Sequence, residues 1–182
     1  IPVSTAYLVE MVHQHWINPS SREIWIHGID MNTDSYEGIE PGVEYMMATK
    51  VIKNLHILRK QSKTEPVTIH LHTCGGMYGE GMAIYDSIKN CPNMVTILNY
   101  THARSMSSII LQAADRRVMM PSSTFMFHDG TMGYSGTTKQ FLIEADELAK
   151  SMEIMANLKA NATAAIPIAT AVGVLAFGSR TA

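Results

Sequence analysis

Val67, Ile69, Leu71 and Thr73 alternate with Thr68, His70 and His72. A period of two predicts a strand. Gly75-Gly76 follows at once, and then Met82, Ile84, Tyr85 and Ile88 recur at helical spacing. The stretch reads as strand, glycine turn and helix. Similar signals recur on both sides of it. Glu23–His27 (EIWIH) predicts a strand ending at Gly28, and residues 30–42, with Asp30, Asn32, Asp34, Gly38, Pro41 and Gly42, predict a loop. Val43, Met47, Val51, Leu55 and Leu58 mark an amphipathic helix to about Lys60. Gln61–Pro66 is a polar connector. Cys91-Pro92-Asn93 breaks the helix of 80–90, and Met94–Asn99 predicts another strand. Tyr100–Ala114 begins polar and becomes apolar, which predicts a helix starting between Ser105 and Ser108. Arg117–Met120 and Thr124–Phe127 predict short strands. Thr137 and Gln140 form a capping box for a long helix with the stripe Phe141, Ala145, Leu148, Met152 and Met155, reaching about Ala160. That stripe reads as core or subunit packing. Strands alternating with helices predict one α/β domain with a largely parallel sheet.

Composition narrows the picture. With 182 residues, 46% apolar and 16% charged, the chain is long enough for one folded domain with a substantial core. A net charge of −2 without basic runs gives no sign of a nucleic-acid partner. Cys74 and Cys91 make no disulfide framework and fit a reducing compartment. A chain beginning at Ile1 reads as processed or cut from a longer one, and it shows no signal-peptide pattern. Residues 161–182, rich in Ala, Thr and Gly and interrupted by Pro167, are too short and broken for a membrane span. They read as a strand-forming or unassigned tail.

Candidate chemistry gathers around the glycine turn. His13 with His15, and His70 with His72, stand two apart; on strands each pair would share a face and suit a metal. No cysteine or carboxylate joins them at ligand spacing, so they read as solvated or hydrogen-bonded and no metal is expected. A serine nucleophile needs a base within hydrogen-bond reach and two N–H donors for a developing oxyanion. Ser105 at a helix start, His128 at a strand end and the Gly75-Gly76 turn supply these groups. Spacing alone does not choose among Ser105, Ser107, Ser108 and Ser122.

Three motifs together narrow the choice. GGMYGEGMAIYDSI, HARSMSSIILQAA and PSSTFMFHDG resemble, in order and approximate spacing across roughly residues 22–158, the proteolytic subunit of the Clp protease, the ClpP family. The resemblance implies a ClpP/crotonase-like spiral of β-β-α units in a single domain over 1–182, with a protruding handle at about 129–160. It implies a serine endopeptidase of unfolded chains or peptides, with Ser105 as nucleophile, His128 as base, the Gly76 and Met106 N–H groups as oxyanion hole, and Gly75 and Met77 beside the substrate. It further implies a cytoplasmic homo-oligomer of heptameric rings stacked in pairs, fed by an AAA+ unfoldase. ATP is then used only by that partner, and the subunit itself needs no cofactor, nucleic acid or membrane.

Some positions depart from the family pattern. Cys74 stands where the family usually has Pro, Arg104 where it has a small residue, Ser107 where it has Gly, and Asp129 where it has Gln. The family's third triad member is an aspartate well beyond the handle helix, yet no Asp or Glu follows Glu153. That absence keeps a second reading open, a catalytically silent ring subunit. A crotonase-like acyl-thioester enzyme would use the same N–H pair but has no need of a serine–histidine pair.

Overall fold

The computed structural model describes residues 4–27, 42–128, 133, 135–164 and 175–177. In chain order the elements are α1 (Thr5–His15), β1 (Ile17–Asn18), β2 (Glu23–His27), α2 (Tyr45–Gln61), β3 (Val67–Thr73), α3 (Tyr78–Lys89), β4 (Val95–Arg104), α4 (Met106–Gln112), β5 (Arg116–Met119), β6 (Thr124–Met126), α5 (Thr138–Ala164) and β7 (Leu175–Phe177). The described strands form one seven-stranded sheet in the order β1-β2-β3-β4-β5-β7, with β6 also paired to β4. Strands β2 to β5 run parallel, as do β4 and β6, while β1 and β7 add antiparallel edges.

Alternation decides which side of the sheet is covered. Ile24 and Ile26 of β2, Val67, Ile69 and Leu71 of β3, and Val95 and Ile97 of β4 share one face and are fully buried. Met47, Val51, Leu55 and Leu58 of α2 and Ile84 and Ile88 of α3 join them in one cluster. Each such side chain contributes roughly 1.5–3 kcal/mol of burial, which outweighs the modest helix propensity of β-branched residues in α2 and α3. Crossover helices that pack back on parallel strands account for this layering.

The elements follow the sequence pattern closely in the centre and less so at its flanks. Strands β2 and β3 coincide with the expected ranges. Strand β4 is longer than Met94–Asn99, because Tyr100–Arg104 continues it after an irregular register between Leu71 and Thr73 of β3. Its first part pairs β5 through Thr96–Asn99, and its last part pairs β6 through His102–Arg104. The polar composition there fits the exposure of Tyr100, Thr101 and Arg104, while Ala103 is fully buried in the core cluster. The predicted loop at 30–42 lies outside the described residues except for Gly42, as does most of the glycine segment before α5.

Residues 5–15 form helix α1, so His13 and His15 do not face one another as they would on a strand. Asn54 of α2 instead donates to the His15 carbonyl at 2.7 Å, tying the end of α1 to the core. On β3, His70 does share a face with His72, but its ring is occupied. His70 Nδ1 lies 2.8 Å from the Tyr100 hydroxyl, Nε2 lies 3.3 Å from Glu23 Oε1, and the ring stacks on Trp25. Among the described residues no group of three or more His, Cys, Asp or Glu is arranged to hold a metal ion.

The capping box is formed as expected: the Thr137 N–H donates to Gln140 Oε1 at 3.1 Å, and the Gln140 N–H donates to Thr137 Oγ1 at 3.4 Å. Helix α5 does not bury its stripe in the core of this chain. Phe141 is 49% exposed and Met152 53% exposed. Of the two readings of the stripe, core packing is overturned. No helix among the described residues is long and apolar enough to cross a membrane.

Candidate active site

The Gly75-Gly76 turn is pinned on both sides by backbone. The Val43 N–H donates to the Gly75 carbonyl at 2.6 Å, and the Met77 N–H donates to the Val43 carbonyl at 2.9 Å. This is a one-residue parallel bridge between Val43 and Gly76. In such a bridge the residue opposite the partner turns its own N–H and C=O to the other edge. The Gly76 N–H therefore faces away from Val43, while the inner edge of Gly75–Met77 is already paired within the chain.

Only glycine fits this turn. Gly75 has φ +104, and a Cβ there would lie 2.7 Å from the Arg104 oxygen, the Met106 nitrogen and the Ser105 Cβ. A Cβ on Gly76 would lie 2.3 Å from the Val43 nitrogen. The close approach permitted by the missing Cβ brings the turn against Ser105 and Met106. Three sequence-predicted groups, the glycine turn, Ser105 and the first N–H of α4, are thus brought together.

Ser105 occupies the step from strand β4 to helix α4. Its backbone has φ 51 and ψ −129, outside the regions that L-residues ordinarily adopt. Such conformations cost roughly 1–3 kcal/mol and persist only where surrounding structure enforces them. Here the enforcing contacts are visible. The Ser105 N–H donates to the Met126 carbonyl at 3.1 Å, and the Ser108 N–H donates to the Ser105 carbonyl at 3.1 Å. The Ser105 side chain makes no capping bond to α4. The neighbouring serines differ. Ser107 and Ser108 are fully buried, and their hydroxyls donate to the Arg104 carbonyl at 2.6 Å and the Ser105 carbonyl at 2.5 Å. Ser122 is exposed in the turn before β6. The Met106 N–H opens α4 and has no intrahelical acceptor.

His128 reaches this region through strand pairing. Strand β6 adds to the end of β4, with Arg104 opposite Met126, and His128 follows two residues beyond. It is exposed. The register places the end of β6 beside the Ser105 backbone without burying it.

Sequence reasoning missed Val43, which it read as the first turn of a helix. The available signal was Gly42, where a Cβ would lie 2.6 Å from the Gly75 oxygen. Gly81, which reads in sequence as loosening the residues before the helix, has a packing role instead. A Cβ at Gly81 would lie 2.5 Å from the end of the Met106 side chain, so α3 and α4 pack closely there.

A parallel sheet carrying a strained serine between strand and helix, with a glycine turn against it, defines a ClpP/crotonase-like α/β fold with a candidate nucleophile site. The family model for Clp protease matches residues 36–168. The chain belongs to the Clp protease family. It is 29% identical over 118 residues to an ATP-dependent Clp protease proteolytic subunit of Deinococcus radiodurans, covering 64% of this chain and 58% of the relative. It is 32% identical over 108 residues to proteolytic subunit 3 of Streptomyces coelicolor, covering 58% of this chain and 50% of the relative. The chain thus spans between about half and three-fifths of the length of these relatives. A solved structure of a mutant ClpP1 from Listeria monocytogenes superposes with a TM-score of 0.65 at 25% identity, covering 80% of this chain and 74% of that one.

Proposed function

We propose that the chain is a serine-type endopeptidase subunit acting on unfolded polypeptides or peptides. One observation carries the reading: Ser105 is held in a strained strand-to-helix turn, its hydroxyl makes no capping bond, and the glycine turn packs directly against it. Strain of this kind lifts a nucleophile clear of its strand and helix. In this mechanism Ser105 Oγ attacks the scissile carbonyl while His128 takes its proton and passes it to the leaving amine. The Gly76 and Met106 N–H groups receive the developing oxyanion. Water then releases the acyl group from Ser105. Gly75 and Met77 flank the substrate, which lies along the edge that Val43 does not occupy.

The exposed face of α5 supports assembly. Phe141, Leu142, Leu148 and Met152 of α5 are exposed large apolar side chains, and exposed apolar surface marks protein contacts. A homo-oligomer of stacked heptameric rings would cover it, and an AAA+ unfoldase would deliver substrate. A second reading, a catalytically silent ring subunit, draws on the lack of any Asp or Glu after Glu153 to orient His128.

Labelling with a serine-directed fluorophosphonate separates the two. The peptidase reading expects covalent modification at Ser105, loss of modification in Ser105→Ala and loss of peptide cleavage in the same variant. Assembly without any labelling would favour the silent subunit. Cleavage that survives Ser105→Ala would remove this serine from the mechanism.

A further inference from the structure

Arg104 is the last residue of β4 and immediately precedes Ser105. Its backbone is held from two sides. The Arg104 N–H donates to Ser107 Oγ at 2.8 Å, and the Arg104 carbonyl lies against the Gly75 turn and accepts from Ser107. The origin of the side chain is therefore fixed relative to Ser105.

Its direction follows from register. Arg104 and Met126 are partners on neighbouring parallel strands, so both leave the sheet on the same face. Both are exposed, and His128 lies two residues past Met126. The arginine thus stands on the open face at the end of β4 and β6, beside Ser105 and on the approach to His128.

The guanidinium carries its charge unpaired: among the described residues it has no ion pair and no side-chain hydrogen bond. Two other arginines contrast with it. Arg22 donates to the Pro66, Ser62 and Glu65 carbonyls, and Arg117 donates to Gln112 Oε1 at 3.1 Å. An arginine with a fixed origin, an exposed planar head and no internal partner is suited to bidentate capture of a carboxylate.

We infer that Arg104 is a specificity-determining residue that selects peptides carrying an acidic side chain next to the scissile bond. The inference rests on the serine-peptidase reading above and adds the chemistry of its preferred substrate.

The test uses the full chain and three fluorogenic peptides that differ only in Glu, Gln or Lys beside the cleaved bond. At low salt kcat/KM for the Glu peptide exceeds that for the Lys peptide by about two- to fivefold, the range expected for partly exposed charge pairs. The ratio shrinks as salt rises past about 0.1 M, where the screening length falls to about 10 Å. Arg104→Lys keeps the direction of the preference, Arg104→Gln flattens it and Arg104→Glu reverses it. A ratio between peptides is unaffected by the fraction of folded enzyme, so partial misfolding of a variant does not mimic these outcomes. Equal rates on the three peptides by a chain whose Ser105 is labelled normally would overturn the selectivity alone, as would an unchanged preference in Arg104→Glu. Absence of both labelling and hydrolysis would overturn the peptidase reading and the selectivity with it.

Discussion

On the glycine-turn side of the site, backbone meets backbone. Gly75 sits against Ser105 and Met106, Val43 brackets the turn, and Ser107 and Ser108 tie the start of α4 to the end of β4. Val43, Gly75, Met106, Ser107 and Ser108 there are buried. On the other side, β6 is three residues long, His128 is exposed, and α5 turns large apolar side chains to solvent. The first side is positioned by the chain's own packing. The second carries apolar surface that the chain's own core does not cover, and His128 follows a short strand pairing. The contrast separates two kinds of placement: the glycine turn and Ser105 are set by the chain's own packing, whereas on the proposed reading the His128 side and α5 would be completed by contacts with other subunits.

Removing the proposed nucleophile is the sharpest way to test that division. Ser105→Ala should lower peptide cleavage by on the order of 10⁴–10⁶-fold while the oligomer, followed by sedimentation, is unchanged. An equal loss of assembly would mean that Ser105 serves the fold rather than the chemistry. Breaking the buried side comes next. Gly75→Ala forces a Cβ to 2.7 Å from three backbone-proximal atoms at a φ that L-residues rarely adopt. It should cost about 2–4 kcal/mol in urea unfolding and abolish fluorophosphonate labelling. Near-native stability with full labelling would show that the turn is not held as tightly as its contacts imply.

The exposed side should respond differently. Phe141→Asp with Met152→Asp places charge on the open face of α5 without touching the core. Circular dichroism should keep its helical signal and the monomer melt should shift by less than about 0.5 kcal/mol, the usual range for exposed substitutions. The oligomer should dissociate, and peptide cleavage should fall with it. Cleavage that persists in the dissociated form would show that the His128 side is complete in one subunit. The smallest expected effect lies in the core. The Asn99 side chain is fully buried on β4, facing inward with Val95 and Ile97, and among the described residues neither its Nδ2 nor its Oδ1 has a hydrogen-bond partner. Asn99→Leu should therefore raise stability by about 1–2 kcal/mol, because an orphaned buried amide is replaced by an apolar side chain. A loss of stability would point to a polar partner for this amide.

Much was legible from local pattern. The period of two in 67–73, the capping box at Thr137 and Gln140, and the helical spacing from Met47 to Leu58 each specify an element through interactions within a few residues. The turn was legible as well, because adjacent glycines after a strand leave few alternatives. The motifs around Gly75, Ser105 and His128 also carried the family, which the match over residues 36–168 bears out. Other features were not legible. Helix α1 carries no buried residue and so no clear periodic stripe, and β4 runs on through polar residues because its end pairs with β6, with only Ala103 of the extension fully buried in the core.

The sequence by itself determined the order of strands and helices from β2 to α5 and the glycine turn, because each is encoded by neighbours along the chain, and the three motifs together named the candidate serine and histidine. Tertiary structure alone decided three matters. It gave the physical ground for Ser105 over Ser107 and Ser108, a choice the motif resemblance had already made, since which hydroxyl is consumed by a backbone carbonyl depends on how α4 meets β4. It made Val43 the clamp of the turn, a contact across more than thirty residues that no local pattern encodes. It also left the α5 stripe outside the core. An apolar face looks the same in sequence whether it is buried by its own chain or by another, and only the positions of the surrounding elements tell the two apart.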